Sequence, residues 1–103
     1  MTMISLAGEL DLLFSKQVAE QLRRSEQGAQ VLVLDLRELS FIDSTGISVL
    51  LSAYLRSQEA GRRLVLIPGP PFVQKVFAVS GMERFFEFWT GDIEELLAEP
   101  DVA

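Results

Sequence analysis

The sequence predicts a single α/β domain: a small, mostly parallel or mixed β-sheet of about four strands covered by about four helices. Three observations carry that expectation. Short apolar runs of strand length alternate along the chain with longer segments of helical periodicity. Glycine or proline punctuates most of the junctions between them. The chain has 103 residues, 49% hydrophobic and 23% charged, which suits one hydrophobic core and is the composition of an ordinary globular protein.

Ile4 and Leu6 alternate with Ser5 and Ala7, a strand pattern ending at Gly8. Ser15 is placed to cap a helix over 16–26, with Val18, Ala19 and Leu22 as its apolar stripe, and Gly28 ends it. The run 31–36, interrupted only by Asp35, reads as a strand buried on both faces. A connection over 37–42 leads to the longest helix, 45–60, whose apolar face is Ile47, Leu50, Leu51, Tyr54 and Leu55. Ser48, Ser52, Arg56 and Glu59 lie opposite, and Gly61 supplies the stop.

A third strand, 64–67, precedes Pro68-Gly69-Pro70-Pro71, and Pro71 suits the first position of a helix carrying Phe72, Val73, Val76 and Phe77 up to Gly81. The aromatic run 85–89 reads as the last strand, with Phe86 and Phe88 packed under a short helix that Thr90 caps and that holds Ile93, Leu96 and Leu97. One domain over 1–103 is expected, with 98–103 as a frayed tail. Strands alternating with helices imply right-handed crossovers.

Composition excludes much chemistry. Nine Lys plus Arg against fifteen Asp plus Glu give a net charge of −6, so nucleic acid and anionic membrane surfaces are poor partners. Without Cys or His there is no thiolate, imidazole base or soft metal site, and neither enzyme activity nor a cofactor is expected. No signal-peptide pattern opens the chain. The longest charge-free run, 44–55, falls well short of the roughly 18 apolar residues of a membrane span. A cytoplasmic location follows as the expectation. Arg62 and Arg63 read as a solvated basic turn.

The most unusual local sequence is Asp43-Ser44-Thr45-Gly46, which opens an otherwise apolar helix with small polar residues. Two readings fit it. A Ser or Asp at a helix N-terminus caps unpaired N–H groups. Alternatively, an exposed hydroxyl there is a phosphoacceptor whose phosphate would rest on the positive end of the helix. Catalytic readings fail on spacing: an aspartic protease needs one residue fewer between Asp43 and Gly46, and a nucleophile elbow needs flanking glycines and a His. A receiver-type acceptor at Asp35 lacks an adjacent acidic pair for magnesium.

The order of elements, the Gly8-Glu9-Leu10-Asp11 turn and above all Asp43-Ser44-Thr45-Gly46 resemble the STAS domain of bacterial anti-sigma factor antagonists. The resemblance continues through Pro68 to Pro71 and Gly81-Met82-Glu83-Arg84-Phe85-Phe86, and so covers about 4–89. It implies a protein that binds an anti-sigma factor, which is also a serine kinase of the GHKL type, and thereby releases a sigma factor. Phosphorylation by that partner would switch it off, and a metal-dependent serine phosphatase would reset it. The family's acceptor is the first hydroxyl residue after the Asp, here Ser44. Asp11, Asp43, Thr45 and Gly46 match positions that surround the acceptor and form the docking surface, where Gly46 would let a partner backbone approach. The family's usual leading strand before the segment matching Ile4 is either absent or compressed into the first residues. STAS domains also occur as unphosphorylated scaffold subunits of transport ATPases or larger signalling complexes, which is the alternative reading. The oligomeric state is left open.

Overall fold

A computed structural model describes residues 1–98 of the chain. Four strands, β1 (Thr2–Leu10), β2 (Val31–Ile42), β3 (Arg63–Ile67) and β4 (Glu87–Phe88), form one sheet. They lie in the order β1-β2-β3-β4, and every pair is parallel. Four helices accompany them: α1 (Ser15–Glu26), α2 (Ser44–Ala60), α3 (Pro71–Ser80) and α4 (Ile93–Ala98). The α/β expectation therefore holds, and the sheet is wholly parallel. Of the expected tail over 98–103, Ala98 is instead the last residue of α4, and residues 99–103 lie outside the described residues.

The period of two along the central strands builds two cores. Leu32, Leu34, Leu36, Leu64 and Leu66 point to one face and pack with Leu22 of α1, Ile47 and Leu50 of α2, and Val73 and Phe77 of α3. Val31, Val33, Val65 and Ile67 point to the other and pack beneath Leu96 of α4, with Trp89 and Ile93 at its margin. Three helices thus cover one face, and one short helix covers the other. Such two-sided burial is why the central strands read as continuous apolar runs.

Several elements differ from the sequence expectation. β1 does not stop at Gly8, which sits at φ +78° within it, but continues until Glu9 and Leu10 pair with Phe41 and Ile42. β2 likewise runs through the expected connection. Two register shifts against β1 each insert an extra β2 residue, so the 37–42 stretch loses the clean alternation that marks a strand. β4 is only two residues long because Glu83–Phe85 form one 3₁₀ turn. Phe86 and Phe88 are core residues, but they face α2 and α3 rather than α4: their rings meet Phe77 edge-on, with centroids 5.5 and 5.4 Å away. Leu55 and Leu97, expected in the core, are about half exposed, whereas Ser57 of α2 is fully buried.

The capping assignments also shift. Ser15 is the first residue of α1, and its hydroxyl donates to the Leu12 carbonyl rather than capping the helix. For α4 the cap is Asp92, whose carboxylate accepts from the Glu94 N–H at 2.9 Å, and Thr90 plays no such part. Arg63 is the first residue of β3 and forms an ion pair with Glu87 across the sheet, while Arg62 Nε donates to the Ala29 carbonyl at 3.0 Å. The Arg62-Arg63 pair is therefore a structural clamp, not a solvated turn.

Asp35, only 3% exposed in the middle of β2, is held by Arg37. Arg37 Nε and Nη2 donate to its two oxygens at 3.0 and 2.8 Å, and the Arg37 N–H donates at 3.0 Å. These hydrogen bonds hold the carboxyl below the usual value of 3.8 against the opposing effect of burial. With the folded value below the unfolded one, the pair's stabilisation is complete above about pH 4 and is lost as pH falls through the depressed value. Asp35→Asn should therefore be less stable than the parent at neutral pH. That gap should narrow as urea titrations move from about pH 7 to pH 3. A gap independent of pH would overturn this account.

Candidate functional site around the start of helix α2

The site is assembled where β1 ends, β2 ends and α2 begins. Asp43 adopts an extended conformation, and its carboxylate accepts the Gly46 N–H at 3.0 Å, capping α2. Its own N–H donates to the Leu10 carbonyl at 3.3 Å, which fastens the helix start to the end of β1. Gly46 completes the junction. A Cβ at this position would lie 2.3 Å from the Leu10 carbonyl oxygen and under 3 Å from the side chains of Leu10 and Ile42, so only glycine lets α2 pass so close.

Asp11 follows directly and shapes the β1–α1 turn. Its carboxylate accepts the N–H groups of Leu13 and Phe14 at 3.0 and 3.3 Å, and its carbonyl accepts those of Phe14 and Ser15. The turn displays Leu12 and Leu13, which are 74% and 78% exposed, with Phe14 beside them. Sequence reasoning passed over these three residues. The signal was present, since three consecutive apolar residues after a turn-forming Asp fit neither a strand nor a helix period.

Ser44, the first residue of α2, is exposed. Its carbonyl accepts the Ser48 hydroxyl at 2.9 Å, while its own hydroxyl makes no hydrogen bond among the described residues. It stands at the mouth of a groove of about 220 Å³ between α2 and α3, floored by Ile47, Leu51, Val76 and Met82. Along α3 this groove meets a second hollow, of about 320 Å³, lined by Phe72, Val76 and Val79. Thr45 turns the other way, toward α1, where it lines a separate hollow with Arg23 and Arg56. Among the described residues no group of three or more Asp or Glu side chains could hold a metal ion, and no helix is long and apolar enough to cross a membrane.

The structure thus brings Asp11, Asp43, Ser44, Thr45 and Gly46 to one end of the sheet, with three distinct placements. Ser44 is open, Asp11, Asp43 and Thr45 are half-buried, and Gly46 is buried. The expectation that Gly46 lies open to a partner backbone is corrected: the backbone that approaches it is this chain's own, at Leu10.

A family model described as "Mlab, STAS domain" matches residues 1–95. The chain belongs to the STAS domain family. This STAS domain is 32% identical over 96 residues to the anti-sigma F factor antagonist of Paenibacillus polymyxa, covering 90% of the chain and 81% of that protein. It is 33% identical over 75 residues to osmosensory protein A of Mycobacterium tuberculosis, covering 73% of the chain but only 48% of that protein's length. Among solved structures it is similar to the anti-sigma factor antagonist SpoIIAA in its unphosphorylated form, with a TM-score of 0.74, 27% identity and coverage of 92% and 83% of the two chains. The phosphorylated form of SpoIIAA, from Bacillus, superposes with a TM-score of 0.67 at 26% identity, over 92% and 86% of the chains.

The geometry separates residues that hold this STAS domain together from one that does not. Gly46→Ala should destabilise it by about 3 kcal/mol, because the added methyl group meets a carbonyl oxygen that cannot move without shifting β1. Asp43→Ala should cost about 1 kcal/mol as a lost cap. Ser44→Ala should stay within about 0.5 kcal/mol of the parent. Urea denaturation ranks the three, and a Gly46→Ala form as stable as the parent would overturn the close-approach argument.

Proposed function

We propose that this STAS domain is a cytoplasmic anti-sigma factor antagonist, a protein-binding switch that docks an anti-sigma factor and is inactivated by phosphorylation at Ser44. The observation that carries the reading is the position of that hydroxyl: exposed, without a hydrogen-bond partner among the described residues, and at the mouth of an apolar groove. The names of the relatives, anti-sigma factor antagonists among them, support the same role. The groove between α2 and α3 supplies apolar area for docking, and Leu12, Leu13 and Phe14 after the half-buried Asp11 present a second, separate exposed apolar patch.

The partner is a serine kinase of the GHKL type, and catalysis is supplied in trans. It transfers the terminal phosphoryl group of ATP to Ser44 Oγ: the new O–P bond forms, the anhydride bond breaks, ADP departs and the hydroxyl proton passes to a base on the kinase. A metal-dependent serine phosphatase reverses the modification by hydrolysis. The phosphate brings about 1.5 to 2 negative charges to a helix N-terminus, where negative charge favours the helix by about 0.3 to 1 kcal/mol. The fold is retained and the docking face is obstructed by bulk, hydration and charge beside Asp43.

The test uses the chain and its Ser44→Ala and Ser44→Asp forms as bait in extracts of the source cells, with captured partners identified by mass. The Ser44→Ala form should hold the kinase, and the Ser44→Asp form should hold it about tenfold more weakly. On the phosphorylated protein, affinity should fall while the thermal midpoint holds or rises. Capture that ignores the state of Ser44 would overturn the switch and favour a constitutive scaffold subunit instead.

A further inference from the structure

On the side of α2 away from the apolar groove, the charge of the molecule is locally inverted. Arg23 of α1, Arg56 of α2 and Arg62 just beyond α2 line a hollow of about 270 Å³. Arg23 and Arg56 also line the adjoining hollow of about 210 Å³ that reaches Thr45, Ser48 and Ser52. Glu26 is the one carboxylate in either lining, and it is committed: buried at the α1–α2 boundary, it accepts from Arg56 Nε through both oxygens, at 2.9 and 3.0 Å. Three guanidinium groups against one carboxylate leave an excess of two positive charges in a chain whose net charge is −6. Arg23 has no ion pair among the described residues, and Arg56 Nη2 is buried without a hydrogen-bond partner.

We infer that this α1–α2 groove is a docking site for an acidic segment of a protein partner. The two hollows share Arg23 and Arg56 and follow the flank of α2, whose 17 residues span about 25 Å. An extended segment of about eight residues covers that length. Hydroxyls of Thr45 and Ser52 line the groove between the arginines and the helix start and offer donors to carboxylates, while that of Ser48 is held by the Ser44 carbonyl. Ser48 lines both this groove and the apolar one, so a partner seated at Ser44 can reach it without leaving the surface. The occupant must have a narrow footprint. A membrane or nucleic acid would reach past the groove onto the rest of a chain of net charge −6, whereas a short acidic strand interacts, within a Debye length of about 8 Å, chiefly with the arginines. The inference rests on the reading of this domain as a protein-docking module.

The experiment uses the full chain, a fluorescent eight-residue peptide of alternating Asp and Glu, and its Asn/Gln counterpart. Fluorescence anisotropy at about 0.15 M salt, where the Debye length is about 8 Å, should detect binding of the acidic peptide alone. Arg23→Glu should weaken it at least tenfold and Arg24→Glu less than twofold, although both variants change the net charge equally and both positions are exposed on α1. Equal losses in the two variants, or no binding of the acidic peptide, would overturn the groove as a site. Displacement by pyrophosphate at concentrations below those needed for the peptide would overturn the protein segment in favour of a small phosphate ligand. No kinase and no phosphate on Ser44 enter the assay, so its failure is distinct from failure of the switch.

Discussion

The Leu10 carbonyl is the point on which the rest of the site depends. It accepts the Asp43 N–H at 3.3 Å and lies where a Gly46 side chain would have to be. Asp43 can cap α2 only from this position, and Asp11, the next residue after Leu10, can shape the β1–α1 turn only because β1 ends here. One carbonyl therefore fixes the relative placement of three chain segments. Moving it by the distance a Cβ demands would misplace the cap, the turn and the exposed hydroxyl together, and such coupling is expected where packed backbone rather than a flexible side chain makes the contact.

Around that junction the two-faced sheet leaves a groove along each flank of α2. Its inward positions, Ile47, Leu50 and Ala53, satisfy the leucine-rich core, and the neighbouring helices pack against it on either side. Toward α3 the boundary is apolar and open at Ser44. Toward α1 it is held by the Glu26–Arg56 pair, with Arg56 side chain 30% exposed. A partly buried pair of this kind contributes less through net Coulomb energy than through the penalty that follows loss of one partner. It thereby sets the spacing of α1 and α2 and the width of the groove between them.

Much of this was legible in the sequence, and the failures have physical causes. The boundaries of α2 and α3 were readable because Asp43, Gly61, Pro71 and Gly81 each do one local task, capping, stopping or starting, that no tertiary contact overrides. The length of β2 was not, because bulges opposite β1 move Leu39 and Ile42 out of simple alternation. The face of α2 was misjudged at its end, where Ser57 is buried and Leu55 is not. A helix apolar on more than a third of its circumference leaves its orientation to its neighbours. Within the site, Ser44 and Asp43 announce themselves by residue type and position. The role of Gly46 could not be read, since nothing local says which backbone will pass within reach of a missing Cβ.

The same geometry constrains how a modification at Ser44 can act. The Gly46 N–H is already taken by Asp43, so a phosphate at the start of α2 would find the remaining free N–H groups of the first turn without displacing the cap. Its charge would then be accommodated by the helix and would still project over the mouth of the apolar groove, because Ser44 is exposed there. Under the proposed switch, fold and docking face would respond in opposite senses to one added group. A switch built this way would need no hinge: the cap and the Leu10 junction would stay in place, and only the surface offered to a partner would change.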